Sequence, residues 1–208
     1  MEEIILETKD LCFNNMITYR DMKISKGEVT FITGESGSGK STLLKLFNNT
    51  LTQSTGKIYY NGQDAQQLNS IKLRKEISLI SQNVFLFDAS IKDNFIKFYE
   101  YRGQTIPSDE KIKEFLNICC ITFPLDKDCR VMSGGEKQRI YIAIYLSFGP
   151  EIIMLDEPTS ALDNKNTFSV IENILSFCKK NNSTVIVVSH DKELTEKFGE
   201  NKITLERR

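Results

Sequence analysis

The sequence predicts an α/β fold in which helices cover a mostly parallel sheet. Two continuous apolar runs, 152–155 and 184–188, have the character of strands that are buried on both faces. A helical pattern over about 165–180 separates them, and this strand–helix–strand alternation is typical of a parallel sheet. A third apolar run, 29–33, leads through a glycine-rich turn into another helical segment. We therefore expect these runs to form one central sheet.

The remaining elements can be assigned in chain order. Residues 3–33 and 57–60 are rich in strand formers, with turns at 25–27 and 61–62, and they predict an N-terminal antiparallel β subdomain. A helix is expected over 41–49 and a short buried strand over 77–80. The stretch 88–148 is mostly helical and predicts an inserted α-helical subdomain. We thus interpret 1–208 as a single domain, with a β subdomain and core at 1–87 and 149–208 and an insertion at 88–148.

Composition excludes several functional classes. The 208 residues carry a formal net charge of −1, which argues against a mainly electrostatic nucleic-acid binder. No apolar run approaches the roughly 20 residues that span a bilayer, and the acidic N-terminus does not look like a signal peptide. The five cysteines form no CxxC pair, so we expect reduced, mostly buried thiols in a cytosolic protein. Cys119 and Cys120 as a redox pair are the alternative.

The most informative motif is a phosphate-binding loop over residues 34–41. Its glycines let backbone N–H groups turn toward phosphate oxygens, and the following helix N-terminus favours an anion. Lys40 can reach the β- and γ-phosphates, and the Ser41 hydroxyl can bind Mg²⁺. Lys40 is expected to be a ligand contact and not a core residue. The nucleotide-binding residues predicted here are Gly34, Glu35, Ser36, Gly37, Ser38, Gly39, Lys40, Ser41 and Thr42.

Two carboxylates and a histidine follow two of the buried strands. Asp156 and Glu157 come directly after the run 152–155, and ligands bind at this carboxyl end of a parallel sheet. Asp156 is suited to a magnesium site, and Glu157 can polarise a water for attack on the γ-phosphate. His190, the only histidine, follows 184–188 and could contact the γ-phosphate and that water. A solvated acidic pair and a structural histidine are the alternatives.

A second glycine-containing string opens the last helix of the insertion. Ser133, Gly134 and Gly135 precede a helical pattern, and exposed N–H groups at that point could bind an anion. Because the phosphate-binding loop already serves one nucleotide, this string is interpreted as serving the nucleotide of a second copy of the chain. The alternative is a helix cap, since Ser133 and Glu136 have capping-box spacing.

Further candidates depend on single residues. Gln82 follows the strand 77–80 and can reach Mg²⁺ or water. Asp163 is a candidate helix N-cap or a contact between two chains. Aromatic side chains at 85, 87, 95 and 98 are expected mainly to pack in the core, although they could also dock a partner.

Together these strings resemble the ATP-binding cassette ATPases over essentially the whole chain. The phosphate-binding loop, the Gln82 loop, Ser133 to Glu136, the acidic strand end 152–157, the loop 160–163 and His190 occur in the order of that family. Glu136 stands where the family most often has Gln, a common variant. The string 85–94 looks like export-type cassettes, and the compact chain is similar to small ATPases of metal (iron) exporters.

The resemblance implies a P-loop NTPase (RecA-like) core, with ATP and Mg²⁺ as ligands. It implies Ser41, Gln82 and Asp156 at the metal, Glu157 and His190 as catalytic residues, and Ser133, Gly134, Gly135 and Glu136 at the ATP of the opposite chain. It also implies an aromatic residue that stacks on adenine near residues 13–19, where Phe13 fits best and Tyr19 second. The loop containing Asp163 would contact the second chain.

We therefore expect an ATPase subunit of a transporter, with export as the favoured direction. Its expected partners are a second cassette, most simply in a homodimer, and a separate transmembrane permease subunit, with no nucleic acid. Its expected location is cytoplasmic, peripheral on the cytoplasmic face of the membrane. The alternative is a non-transport ATPase that acts as a nucleotide-gated clamp on a macromolecule.

Overall fold

The computed structural model describes residues 3–159 and 164–206. Within them the α/β fold is confirmed, with one antiparallel and one parallel sheet. The strands are β1 (Ile4–Phe13), β2 (Ile17–Thr18), β3 (Met22–Ser25), β4 (Val29–Gly34), β5 (Thr55–Tyr60), β6 (Gln63–Asp64), β7 (Ile77–Ile80), β8 (Ile152–Asp156), β9 (Thr184–Val188) and β10 (Asn201–Leu205). The α-helices are α1 (Lys40–Phe47), α2 (Ser70–Glu76), α3 (Ile91–Arg102), α4 (Asp109–Ile118), α5 (Gly134–Ser147), α6 (Asn164–Lys180) and α7 (Lys192–Phe198).

The parallel sheet has the strand order β10-β4-β9-β8-β7. Its central strands β8 and β9 are buried at every position, as their continuous apolar sequences predict. Parallel pairing brings the carboxyl ends of β4, β8 and β9 to one edge, with Ile32 opposite Val188 and Asp156 opposite Val188. The loops that follow these strands carry Lys40, Glu157 and His190, so the topology collects the predicted chemistry at one place.

The antiparallel sheet is formed by the N-terminal strands, with β1 pairing with β2, β3 and β5, and β5 with β6. The turn between β1 and β2 passes through Asn14 and Asn15, both at positive φ, a conformation that Asn tolerates better than most residues. This hairpin places Ile17 beside the loop that follows β4, where a Cβ on Gly39 would lie 3.1 Å from Ile17 Cγ2.

Two hydrophobic cores lie on opposite faces of the parallel sheet. The helix-side core holds α3, α4, α5 and α6 against residues such as Phe31, Leu155 and Val187. The loop-side core holds the antiparallel sheet and α1 against the alternate residues of the same strands, such as Ile32 and Met154. Strand side chains point to opposite faces in turn, so each central strand contributes to both cores.

A reciprocal pair of hydrogen bonds joins α2 to α3 at their C-terminal ends. Lys75 Nζ donates to the carbonyl of Arg102 at 2.6 Å, and Arg102 donates to the carbonyl of Lys75 at 2.8 Å. The Arg102 guanidinium also lies 4.1 Å from the centre of the Phe148 ring. Cations at helix C-termini interact favourably with the unpaired carbonyls there, so this clasp fixes the first inserted helix to the body of the sheet.

The five cysteines are free thiols, with Cys119, Cys129 and Cys178 buried and Cys12 and Cys120 partly exposed. Burial raises the pKa of Cys129 to about 11 and that of Cys178 to about 12. No helix in the described part of the chain is both long and apolar enough to cross a lipid bilayer.

Candidate nucleotide site

The phosphate-binding loop joins β4 to α1 and depends on glycine for two different reasons. Gly34, Gly37 and Gly39 all have positive φ, at 148°, 80° and 88°. A Cβ on Gly34 would lie 2.4 Å from the carbonyl of Leu205, and one on Gly39 would lie 2.7 Å from the Tyr19 hydroxyl, so these two positions also lack space. Gly37 has open space around it and needs glycine only for its backbone conformation.

Lys40 is buried inside this loop. Its ammonium donates hydrogen bonds of 2.9 Å to the carbonyls of Gly34 and of Glu35, and the residue is 6% exposed. Burial lowers the pKa of Lys40, and the nearby Glu157 and Asp156 carboxylates oppose that change. Lys40 is therefore buried, contrary to the expectation that it is not a core residue, and its ammonium bonds to carbonyls of the loop itself.

The predicted magnesium ligands lie side by side. Ser41 Oγ donates a hydrogen bond of 3.0 Å to Asp156 Oδ1, and Asp156 is 5% exposed at the end of β8. Gln82, which follows β7, lines the same cavity as Lys40 and Ser41, and this cavity is described below. A hydroxyl, a carboxylate and an amide oxygen are the hard ligands that Mg²⁺ prefers, so these residues fit the predicted ion.

Glu157 and His190 meet next to the loop. Glu157 has φ of 52°, and its N–H donates to the carbonyl of Val188 at 3.0 Å, which turns the chain sharply after β8. Glu157 Oε1 lies 3.1 Å from His190 Nε2, a close approach without hydrogen-bond alignment. Burial raises the pKa of Glu157, and the His190 ring is the first of several groups that counteract this.

These side chains border one open cavity of about 520 Å³. Its lining residues are Ile17, Ser36, Gly37, Gly39, Lys40, Ser41, Thr42, Gln82, Glu157 and His190. The structure therefore brings together residues from β2, the phosphate-binding loop and the strand ends of the parallel sheet. Ile17 was missed by the sequence reasoning, since only the packing of the hairpin against Gly39 brings it here.

Three residues of the predicted phosphate-binding loop do not line that cavity, and neither does Phe13. Gly34 forms the back of the loop, Ser38 is buried behind it, and Glu35 borders a neighbouring depression with Asp191 and Lys192. Gly34 and Glu35 contribute to the site through their backbone, because their carbonyls accept hydrogen bonds from Lys40. The loop thus uses these positions to shape the cavity.

The two candidates for adenine stacking differ in position. Tyr19 is 3% exposed, and its hydroxyl donates to the carbonyl of Gly39 at 3.0 Å, so it supports the loop from behind. Burial raises its pKa far above the ordinary value. Tyr19 as the stacking aromatic is therefore wrong. Phe13 is partly exposed at the end of β1 and packs against the loop-side core.

Ser133 to Glu136 lie outside the cavity, at the exposed start of α5. The capping box that the spacing allows is present: the Ser133 hydroxyl accepts from the Glu136 N–H at 3.3 Å, and Glu136 Oε2 accepts from the Ser133 N–H at 2.8 Å. The hydrogen bond that the carboxylate accepts from the Ser133 N–H lowers the pKa of Glu136. Asp163 lies outside the described residues.

Gln138 is a further residue that the sequence reasoning missed. It is 1% exposed on α5, and its side-chain amide donates to the carbonyl of Glu157 at 3.4 Å. Gln138 stands between the charged residues Lys137 and Arg139, so no local signal marked it as a buried residue.

Comparison with known proteins agrees with this geometry. The sequence model of the family described as ABC transporter matches residues 18–160. The probable iron export ATP-binding protein FetA of Escherichia coli is 35% identical over 174 residues, which cover 83% of this chain and 77% of that protein. The methionine import ATP-binding protein MetN of Clostridium acetobutylicum is 34% identical over 201 residues, 93% of this chain.

This chain spans 62% of the length of that methionine importer subunit, slightly less than two thirds. Among solved structures, the dimeric bacterial ABC transporter cassette MJ0796 superposes with a TM-score of 0.84 at 26% identity, covering 98% of this chain and 95% of that one. The family match covers more than half of the sequence and includes the phosphate-binding loop and the acidic end of β8. The chain belongs to the ABC transporter family.

Proposed function

We propose that this chain binds Mg-ATP and hydrolyses it to ADP and phosphate in order to drive transport through a separate membrane subunit. The observation that carries the proposal is the convergence of Lys40, the Ser41–Asp156 pair and the Glu157–His190 pair at one edge of the sheet. Cation, metal ligands and a candidate base are the components that phosphoryl transfer to water requires.

Ground-state binding is assigned to the phosphate-binding loop. The Lys40 ammonium, now bonded to two loop carbonyls, would exchange them for phosphate oxygens, and the N–H groups at the start of α1 would face the same oxygens. Ser41 and Asp156, with Gln82 nearby, would hold Mg²⁺, which supplies charge neutralisation of the phosphates. Thr42 lines the same cavity. Phe13 remains the residue proposed to stack on adenine.

Glu157 and His190 are assigned to the chemical step. Half-buried beside the cavity, the Glu157 carboxylate would orient a water and accept its proton. The His190 ring, more exposed, would donate a hydrogen bond to the γ-phosphate as negative charge redistributes. Both groups act mainly in the transition state, so their loss should lower kcat more than ATP affinity.

The exposed start of α5 supports a shared site. Ser133, Gly134 and Gly135 do not line the cavity of their own chain. We propose that they contact the ATP of a second copy, with Glu136 beside them and Asp163 at the contact between chains. The solved cassette named above is dimeric, which supports the pairing of two copies by analogy.

The membrane partner is proposed to dock on the inserted helices 88–148, which would hold the ATPase on the cytoplasmic face of the membrane. Tyr101 on α3, 80% exposed, offers apolar surface there, and Phe85, which precedes these helices, is 58% exposed. The string 85–94 favours export. The two curated relatives named above are an import protein and a probable export protein, so they favour neither direction.

Phosphate release by the purified chain tests the activity. Glu157→Gln keeps the size of the side chain but removes its basicity, and kcat should fall about 10²–10⁴-fold. Glu172→Gln, an exposed carboxylate on α6, is the matched control and should behave as wild type. Equal kcat for wild type and Glu157→Gln would refute the assigned role.

Light scattering of Glu157→Gln tests the shared site. Mg-ATP should convert monomers to dimers, because ATP binds the closed pair better than the open chain. A strict monomer with ATP demonstrably bound would count against the assignment of Ser133 to Gly135.

A further inference from the structure

Helix α5 carries one polar side chain into an otherwise apolar interior. Gln138 is 1% exposed, and the residues that follow it, from Ile140 to Leu146, are almost all buried. A helix that is buried on nearly all faces sits in the core as a rigid element. A buried amide in such a helix is unusual unless its hydrogen bonds serve a purpose.

The Gln138 amide reaches the turn that carries Glu157. Nε2 donates to the Glu157 carbonyl at 3.4 Å, and the orientation follows from chemistry, since a carbonyl oxygen can only accept. The same residue is held on its other side, where the Glu157 N–H donates to the carbonyl of Val188 at 3.0 Å. Glu157 has a positive φ of 52°, an unusual conformation for a residue with a side chain. Its two backbone partners therefore determine where the carboxylate points.

The N-terminal end of α5 lies at the surface. Ser133 and Gly134 are exposed, and Gln138 follows them by about one turn of the same helix. Because α5 packs against α3, α4 and β7, its first turn and Gln138 move as one body. A ligand that shifts or steadies the start of α5 therefore changes the position of the amide that holds Glu157.

We propose that Gln138 is a positioning residue that couples the nucleotide at the start of α5 to the orientation of the Glu157 carboxylate in the same chain. The inference rests on the proposed function, in which Ser133 to Gly135 contact the ATP of a second copy. Each ATP would then help to align the catalytic carboxylate of the neighbouring site. Hydrolysis in the two sites of a dimer becomes linked through one helix in each chain.

Gln138→Met tests this, since it keeps the length and volume of the side chain and removes the amide. The expected result is a fall in kcat of about 10- to 100-fold, since small misplacements of a reacting group have effects of this size. ATP affinity, measured by titration calorimetry in the Glu157→Gln background, should stay within about twofold. The Hill coefficient for ATP should fall toward one, because coupling between the two sites is lost.

Two comparisons keep the test specific. Ile140→Val, a buried position on the same helix, should lower the melting temperature slightly and leave kcat and the Hill coefficient unchanged. Gln138→Asn keeps the amide but is one methylene shorter, so the amide no longer reaches the Glu157 carbonyl. Its kcat should fall as much as that of Gln138→Met, and it replaces that variant in the test if the methionine variant does not fold.

A Gln138→Met protein with wild-type kcat would overturn the proposal. So would a loss of kcat that Ile140→Val reproduces at the same melting temperature, since that outcome indicates general loosening of the core. An equal loss of ATP affinity and turnover would also overturn it. These results differ from failure of the proposed function, in which the wild-type chain itself would release no phosphate.

Discussion

Lys40→Met should separate the two roles of this lysine. The Lys40 ammonium donates to two loop carbonyls at 2.9 Å, yet its burial is unfavourable, as its lowered pKa indicates. The variant loses both hydrogen bonds, but it also loses the desolvation cost of a buried ammonium. We therefore expect the free energy of unfolding to fall by only about 1–2 kcal/mol.

The larger effect concerns ligand stabilisation. At an ATP concentration of about 100 times Kd, binding adds about 2.7 kcal/mol to stability. For a chain of this size about 1 kcal/mol corresponds to about 2–4 °C, so Mg-ATP should raise the wild-type Tm by about 5–11 °C. Removing a charged hydrogen-bond donor weakens affinity by about 1.5–3 kcal/mol. The remaining stabilisation at the same concentration is about 0.3–1.3 kcal/mol, or about 1–5 °C.

Differential scanning fluorimetry with and without Mg-ATP measures both effects. Lys45→Met is the matched control, because it makes the same change on the same helix at a position that does not line the cavity. A full wild-type shift in Lys40→Met would refute the reasoning, as would an equal loss in Lys45→Met.

Three further expectations concern stability and reactivity. Tyr19→Phe loses the hydrogen bond to the Gly39 carbonyl and should lower the free energy of unfolding by about 1 kcal/mol in a denaturant melt; no change would mean that the hydroxyl does not support the loop. Arg102→Met loses one hydrogen bond of the clasp, the one to the Lys75 carbonyl, together with the contact with Phe148, and should cost about 1–2 kcal/mol in the same assay. Burial raises the pKa of Cys119, so mass spectrometry after alkylation should find this thiol unmodified until the chain unfolds, whereas rapid native labelling would contradict the described burial.

The fold could be predicted where local sequence determined local structure. The apolar runs of β8 and β9 need burial on both faces, so they predicted a parallel sheet. The phosphate-binding loop predicted the strand before it and the helix after it. The helix ends in the structure differ from the predicted ends by a residue or two. Helix α5, for example, begins at Gly134, whereas the helical pattern was expected to follow Gly135. Caps of this kind depend on side-chain geometry that periodicity does not report.

The missed site residues depend on tertiary packing. Ile17 belongs to the cavity because the β1–β2 hairpin folds over Gly39. Tyr19 is buried because its ring fills the space behind the same loop. Gln138 contacts Glu157 across 19 positions of sequence, a distance that no local pattern encodes. The burial of Lys40 was not expected, since its hydrogen bonds involve backbone carbonyls, which leave no sequence signal.

The sharing of one sheet by two cores affects how the sequence can change. Met154 and Leu155 are neighbours in β8, yet one packs under the nucleotide loop and the other under the inserted helices. Substitutions at such a pair should combine additively if the sheet does not move, because they share no side-chain neighbours. The helix-side core can then accept new side chains, and with them a differently shaped outer surface, while the packing beneath the phosphate-binding loop is preserved. A substitution on one face of the sheet should therefore leave the packing on the other face unchanged.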